Sequence, residues 1–174
     1  LRKIQPAGAE ARRKQRLDRL AETQKAVGKE MCSYKHLQDV KFKKSLLAML
    51  YWAEGSKHKS VSGLHFTNTD PKLAQLFITL LRQSYMIDEV KFKMRLHLHY
   101  YHKIKETRRF WSDVLEIPEN RIAPVYIKKR SRKKRFRKNF GGICFIYYGD
   151  GKIREEILAT GQVIHAILAE PTRK

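Results

Sequence analysis

The residues best suited to chemistry form a row of cations. In EVKFKMRLHLHY, residues 89–100, Lys91, Lys93, Arg95, His97 and His99 alternate with Phe92, Met94, Leu96 and Leu98. A strand turns successive side chains to opposite faces, so this spacing gathers the basic and imidazole groups on one side and the apolar groups on the other. No carboxylate lies among them, and such a side suits an anion better than plain water. His65 stands in the same relation to Leu64 and Phe66 in the shorter run LHFTN and joins the set. A second store of charge comes later: nine of the thirteen residues from Lys128 to Phe140 are basic, namely Lys128, Lys129, Arg130, Arg132, Lys133, Lys134, Arg135, Arg137 and Lys138. Such a run between strands makes a basic hairpin loop whose natural partner is a phosphate backbone. His97, His99 and His102 also admit a zinc reading, because His-x-His on a strand puts both rings on one side, but no Cys or acidic ligand stands in the same segment. The tyrosines Tyr100, Tyr101, Tyr147 and Tyr148 either stack on splayed bases or sit half-buried in the sheet. There is no Gly-rich phosphate loop and no Ser-His-Asp or Cys-His arrangement.

The rest of the composition agrees. A chain of 174 residues with 42% hydrophobic content has enough apolar material for a folded domain with a real core. Lys and Arg number 38 against 17 Asp and Glu, a formal net charge of +21, far from that of an ordinary soluble enzyme and simplest to explain by a polyanion partner. Neutralising phosphates releases condensed counterions, so each Lys or Arg brought to the backbone adds affinity whatever the base sequence. Charge by itself separates neither DNA from RNA nor binding from cutting. Cys32 and Cys144 are too few and too far apart for a zinc site or a disulfide framework, and read as free thiols in a reducing cytoplasm. No apolar run is long enough to cross a bilayer, no signal peptide opens the chain, and Leu1 in place of Met suggests part of something longer.

These side chains need a scaffold. Residues 1–40 read as a basic helical segment: Ala9 to about Met31 is rich in good helix formers, with Leu17, Leu20 and Val27 as a thin apolar stripe, so the helix lies on phosphate or stands in solvent. Residues 41–174 form the main domain. Its first helix, Phe42–Glu54, is apolar on more than one face, with Phe42, Leu46, Met49, Leu50 and Ala53 on one side and Leu47, Tyr51 and Trp52 on others. Such a helix needs two surfaces; the sheet supplies one, and the same helix of a second copy is expected to supply the other. Asp70-Pro71 opens the next helix, Asp as cap and Pro at the first helical position, with Leu73, Leu76, Phe77, Leu80 and Leu81 as its buried stripe. A third helix runs from about Lys103 to Glu116 with Ile104, Trp111, Val114 and Leu115 inward, and stops at Pro118. Strands around Ala123–Lys129 and Ile143–Tyr148 flank the basic run, and Gly149-Asp150-Gly151 leads into a last helix carrying Ile153, Ile157, Ile164 and Leu168.

The string LAMLYWAEG, Leu47 to Gly55, lies without gaps on the nine-residue motif of the LAGLIDADG homing endonucleases. The chain beyond it, with FTNTDP opening a helix, LHLH, FW in the next helix and GGICF before the last, resembles single-motif bacterial and phage members in which a helix interrupts the second half of the fold. The resemblance spans roughly Lys41 to Leu168. It implies an α+β unit, αββαββα with an extra helix between the later strands, preceded here by the basic N-terminal helix. It implies that motif helices pair between two copies, with Leu47, Met49, Leu50, Trp52 and Ala53 at the interface, while the sheets lie along the major groove. It implies further that Glu54, with Gly55 beside it, forms the site for Mg²⁺ or another divalent cation, which activates water and neutralises charge on the scissile phosphate. Met49 departs from the small residue common at its position, and Trp52 from an often acidic one. Taken without the resemblance, Glu54 is a helix-end carboxylate in a salt bridge with Lys57 or Lys59.

The expected function is therefore metal-dependent, site-specific cleavage of double-stranded DNA by a homodimer. Glu54 holds the metal, and Lys93 and Arg95 stand near the scissile phosphate. Lys91, Lys93 and Arg95, with His65, His97 and His99, face the groove, and the Lys128–Lys138 run with the N-terminal helix grips the backbone. The alternatives are a DNA-binding regulator that keeps the fold without cutting, as in similar bacterial chains that carry a helix-turn-helix ahead of this unit, and an RNA-binding or intron-splicing helper.

Overall fold

The computed structural model describes residues 6–58, 60–129 and 140–170. The chain divides into two units, the first ending at Asp39 and the second beginning at Val40. The first is helix α1 (Pro6–Cys32), followed by one 3-10 turn at Lys35–Gln38. Its composition favours helix throughout, and it buries none of its apolar stripe: Leu17, Leu20 and Val27 are all exposed.

The second unit runs α2 (Val40–Glu54), β1 (Leu64–Asn68), α3 (Pro71–Ser84), β2 (Phe92–His99), α4 (Ile104–Leu115), β3 (Tyr126–Lys128), β4 (Ile143–Tyr148) and α5 (Gly151–Ala169). It is an α+β unit whose strands form one mixed sheet in the order β1-β4-β2-β3. β4 is antiparallel to both of its neighbours, whereas β2 and β3 run parallel. Parallel neighbours need a crossover, and α4 supplies it. Where two strands are expected before α3, only β1 forms among the described residues. The other is reduced to a single bridge between Gly55 and Phe66, with the Ser56 N–H on the His65 carbonyl, because the chain leaves the sheet at Lys57, whose ammonium turns back to the Trp52 carbonyl.

The alternation in β2 organises the core. Phe92, Met94, Leu96 and Leu98 are buried while Lys93 and Arg95 are exposed. Leu64 and Phe66 of β1 and Cys144, Ile146 and Tyr148 of β4 extend the same inner face. Against it pack Leu47, Ala48 and Tyr51 of α2, Phe77, Ile78 and Leu81 of α3, and Trp111 and Leu115 of α4. Each large aliphatic or phenyl side chain among them stabilises the fold by about 1.5–3 kcal/mol on burial. As its sequence implies, α3 is capped by Asp70, whose carboxylate accepts the Lys72 N–H at 2.9 Å, and has Pro71 at its first position. Its buried stripe is shifted from the expected one: Ala74 and Ile78 turn inward and Leu76 outward, because α3 covers α2 as well as β1. Ile104 of α4 and Leu168 of α5 also lie outward, and α5 buries only Ile157 and Gly161 fully.

Within its own chain α2 packs on α3 and on α5. Leu47 is fully buried in that core, and Trp52 lies against α5, edge-on to the His165 ring at 5.5 Å and beside Gly161. The expectation that Leu47 meets a second copy is thereby corrected, while Trp52 is half-buried. Lys44 fastens the arrangement, with its ammonium 2.7 Å from the Glu156 carboxylate on α5 and 4.3 Å from the centre of the Tyr85 ring just past α3. Met49 and Ala53 stay exposed, Leu50 is half-buried, and Leu46, Met49 and Ala53 recur at helical spacing along the outward stripe.

Candidate nucleic-acid interface

The register of the sheet determines what shares its open face. Directly paired residues point the same way, so Lys93 stands beside Tyr147, which stands beside His65; Arg95 stands beside Phe145 and then Thr67; His97 lies between Ile143 and Tyr126; and His99 pairs with Lys128. The face is thus a mixed one, cations on β2 and β3 interleaved with aromatic rings. His97 touches two of them, with ring centres 4.3 Å from Phe145 and 4.8 Å from Tyr126, and His65 meets Tyr147 edge-on at 4.5 Å. Tyr126 is added to the cationic row from β3, and Phe145 and Tyr147, the latter a tyrosine already weighed for stacking, from β4. Their signal was the alternation of β4 with buried Cys144, Ile146 and Tyr148, which places a residue on a face only once its register with β2 is known.

The cations of this face differ in their commitments. Lys93 and Arg95 are exposed and Lys128 half-buried, and none of them makes an ion pair or hydrogen bond among the described residues. Lys91 is different. It sits in the 3-10 turn before β2 and its ammonium lies 3.0 Å from the Asp150 carboxylate, which also caps α5 by accepting the Ile153 N–H at 3.1 Å. The Asp150 hydrogen bond raises the lysine's pKa, while the Ile153 N–H and then Lys91 hold the Asp150 carboxyl low. The row expected to lack a carboxylate therefore has one at its Lys91 end, delivered from the far side of the sequence. Burial, and then the charges of Lys128 and Arg95, lower the pKa of His97. His65 is lowered by burial and then by Arg154. Both rings sit in a positive field.

His102 has a structural post. Its Nε2–H donates to the Phe140 carbonyl at 2.7 Å and its Nδ1 accepts the His99 N–H at 3.0 Å, so both ring nitrogens are spent on backbone. Among the described residues no group of three or more His, Cys, Asp or Glu is arranged to hold a metal ion, which removes the histidine zinc reading there. Just beyond Phe140, the backbone at Gly142 has φ +84, and a Cβ there would strike the Leu98 side chain and approach the His97 carbonyl. This glycine is what brings β4 in beside the end of β2. Cys144 is buried and its thiol is pushed up to about 12 by burial, whereas Cys32 is exposed.

The corner after α2 is built by Tyr51. Its buried hydroxyl donates to the Ser56 carbonyl at 3.0 Å and accepts the His65 N–H at 3.2 Å, clasping the chain after the helix to β1. Gly55 fits under this clasp because a Cβ there would run into the Tyr51 ring. Glu54 is exposed at the same corner. Its Oε2 accepts a long hydrogen bond, 3.5 Å, from the Asn68 amide. Asn68 presents that NH₂ outward because its Oδ1 is occupied by the Thr69 and Asp70 N–H groups at 2.8 and 2.9 Å. Lys57 does not pair with Glu54, being turned to the Trp52 carbonyl. Lys59 and the basic residues Arg130, Arg132, Lys133, Lys134, Arg135, Arg137 and Lys138 lie outside the described residues. Lys129, at the edge of that run, is exposed.

No family model, curated protein or solved structure matches this chain. Glu54, Lys93 and Arg95, expected from the sequence to act as one catalytic set, are not brought into contact. β4 stands between β1 and β2, and two strand spacings put β2 about 10 Å across the sheet from the strand whose end carries Asn68 beside Glu54. Among the described residues no helix is long and apolar enough to cross a membrane.

Proposed function

We propose that this protein binds double-stranded DNA along the open face of its sheet, in the manner of the LAGLIDADG homing endonucleases that its Leu47–Gly55 string resembles. The observation that carries the reading is the contrast in commitments among the cations: Lys93, Arg95 and Lys128 share one face with no partner among the described residues, on a chain of net charge +21. Unpaired cations on a twisted sheet suit phosphate and the acceptor edges of guanine, which a Lys or Arg reads from the major groove. The order of helices and strands, with α4 between β2 and β3, supports the same family reading. Pairing of two copies falls in this proposal to the outward stripe of α2, Leu46, Met49 and Ala53, with half-buried Leu50 at its margin.

For cutting, the candidate is Glu54. A Mg²⁺ ion is commonly held by one or two carboxylates with substrate phosphate and water completing its shell, so an exposed carboxylate with a single long hydrogen bond fits that role. When bound, the ion would supply an activated water and neutralise charge on the phosphate. Asn68 orients the carboxylate, and Gly55 with the Tyr51 clasp fixes the corner that bears it. One observation favours binding without cutting: the free cations of β2 stand across β4 from this corner and make no contact with Glu54 among the described residues. Incubation with Mg²⁺ and a pool of duplexes that includes DNA flanking the gene separates the two. Strand scission lost in Glu54→Gln with binding retained establishes the nuclease. Tight binding with no scission of the selected site leaves a DNA-binding regulator, and no binding of any duplex refutes the proposal.

A further inference from the structure

The aromatic half of the open face carries no charge, yet it is as regularly arranged as the cationic half. Tyr126, His97 and Phe145 form a continuous ridge over three adjacent strands, and Tyr147 stands next to Lys93 as Phe145 stands next to Arg95. Phe145 and Tyr147 are half-buried and stand apart from the hydrophobic core, so the fold alone does not explain them. In a major groove, the apolar feature that such rings can meet is the C5-methyl group of thymine. We infer that this sheet reads thymine methyl groups with Phe145 and Tyr147, beside guanines read by Arg95 and Lys93, so that its preferred sites place thymine next to guanine. The inference rests on the proposed binding of duplex DNA and adds the class of base step it selects.

The geometry distinguishes this from a stacking platform for unpaired bases. Stacking needs free ring faces, whereas here His97 lies within 4.8 Å of Tyr126 and 4.3 Å of Phe145, tilted by 53° and 47°, and His65 within 4.5 Å of Tyr147. A base entering between these rings has to break contacts already made. A methyl group needs only the exposed rim, and cross-strand neighbours about 5 Å apart at Cβ put a cation and a ring within reach of adjacent base pairs.

The test uses the whole chain and three probes: a randomised duplex pool made with thymidine, the same pool made with deoxyuridine, and the thymidine pool as single strands. The wild type should hold the thymidine duplexes more tightly, by about fourfold for each methyl group covered, the worth of one apolar carbon taken from water. Phe145→Ala combined with Tyr147→Ala should bind both duplex pools alike, with an unchanged circular dichroism spectrum. The wild-type comparison stands even if that variant misfolds. Equal wild-type affinity for the two duplex pools overturns the inference and leaves duplex binding intact. A preference that persists in the folded double variant overturns the assignment to these rings. Binding confined to single strands overturns both this inference and the duplex reading, and makes the ridge a stacking surface.

Discussion

Between the helices of the second unit, several cations are structural parts. Arg82 of α3 places Nε and Nη2 at 2.8 and 2.9 Å from the two Glu89 oxygens, and donates to the Leu115 and Glu116 carbonyls, both at 3.0 Å, where α4 ends. Arg108 donates to the Glu119 carbonyl, Arg154 to that of His58, and Lys44 to Glu156. On the open face of the sheet, Lys93, Arg95 and Lys128 have no such partners among the described residues. The two regions carry the same residue types, and the difference lies in geometry: helix ends and loops offer carbonyls and carboxylates to a nearby guanidinium, while a sheet face spends its backbone polar groups within the ladder. Net charge therefore overstates the binding surface, since the cations committed to carbonyls and carboxylates are not available to it.

The sharpest way to break this comparison is to neutralise the face. Lys93→Gln with Arg95→Gln should weaken duplex binding by about 1–3 kcal/mol for each residue that reads a base, and flatten the dependence on salt by about one unit for each that contacts phosphate. Stability in urea should stay within about 0.5 kcal/mol, because both side chains are exposed. Unchanged affinity in the double variant would show that the free cations of the sheet are not the binding surface.

The converse change falls on Arg82. Arg82→Gln removes charged hydrogen bonds joining α3, the turn before β2 and the end of α4, at a side chain 23% exposed, and should cost about 2–3 kcal/mol in urea unfolding. The salt dependence of binding, measured where the variant is folded, should match the wild type. A flatter slope with normal stability would place Arg82 among the DNA contacts and erase the distinction between the two regions.

Local signals were legible in the sequence and long-range ones were not. The period-two pattern of β2 and the Asp70-Pro71 start of α3 each depend on neighbouring residues alone, and both appear in the structure. An α+β class results from such elements. The partner of α2 was not legible, because a helix apolar on several faces says that it is covered without saying by what; α5, about a hundred residues later, covers Trp52. For the same reason Leu47 reads as an interface residue in the sequence when its own core encloses it. Lys91 looked like its neighbours in the row until the fold brought Asp150 to it across 59 positions. Phe145 joined the site, and Tyr147 found its place beside Lys93, only through a register that no single strand contains. Asn68 read as part of a helix start, and its amide reaches Glu54 only because its own oxygen is engaged by the turn.

The smallest expected effect tests the field on the face rather than its contacts. Burial, Lys128 and Arg95 hold His97 below its ordinary value of 6.5. A group whose folded pKa is depressed favours the fold above its unfolded pKa and loses that contribution as pH falls through the folded value, so acid should slightly destabilise the free protein below about pH 6.5. A polyanion laid on the face reverses the sign locally, since nearby negative charge favours the protonated ring. DNA affinity should then tighten modestly as pH falls through this window, with uptake of a proton on binding, and His97→Gln should remove both trends. Calorimetry of duplex binding in two buffers of different ionisation enthalpy measures the protons directly. No uptake below pH 6.5 in the wild type would mean that phosphate does not approach His97, and would move the DNA off the centre of the sheet.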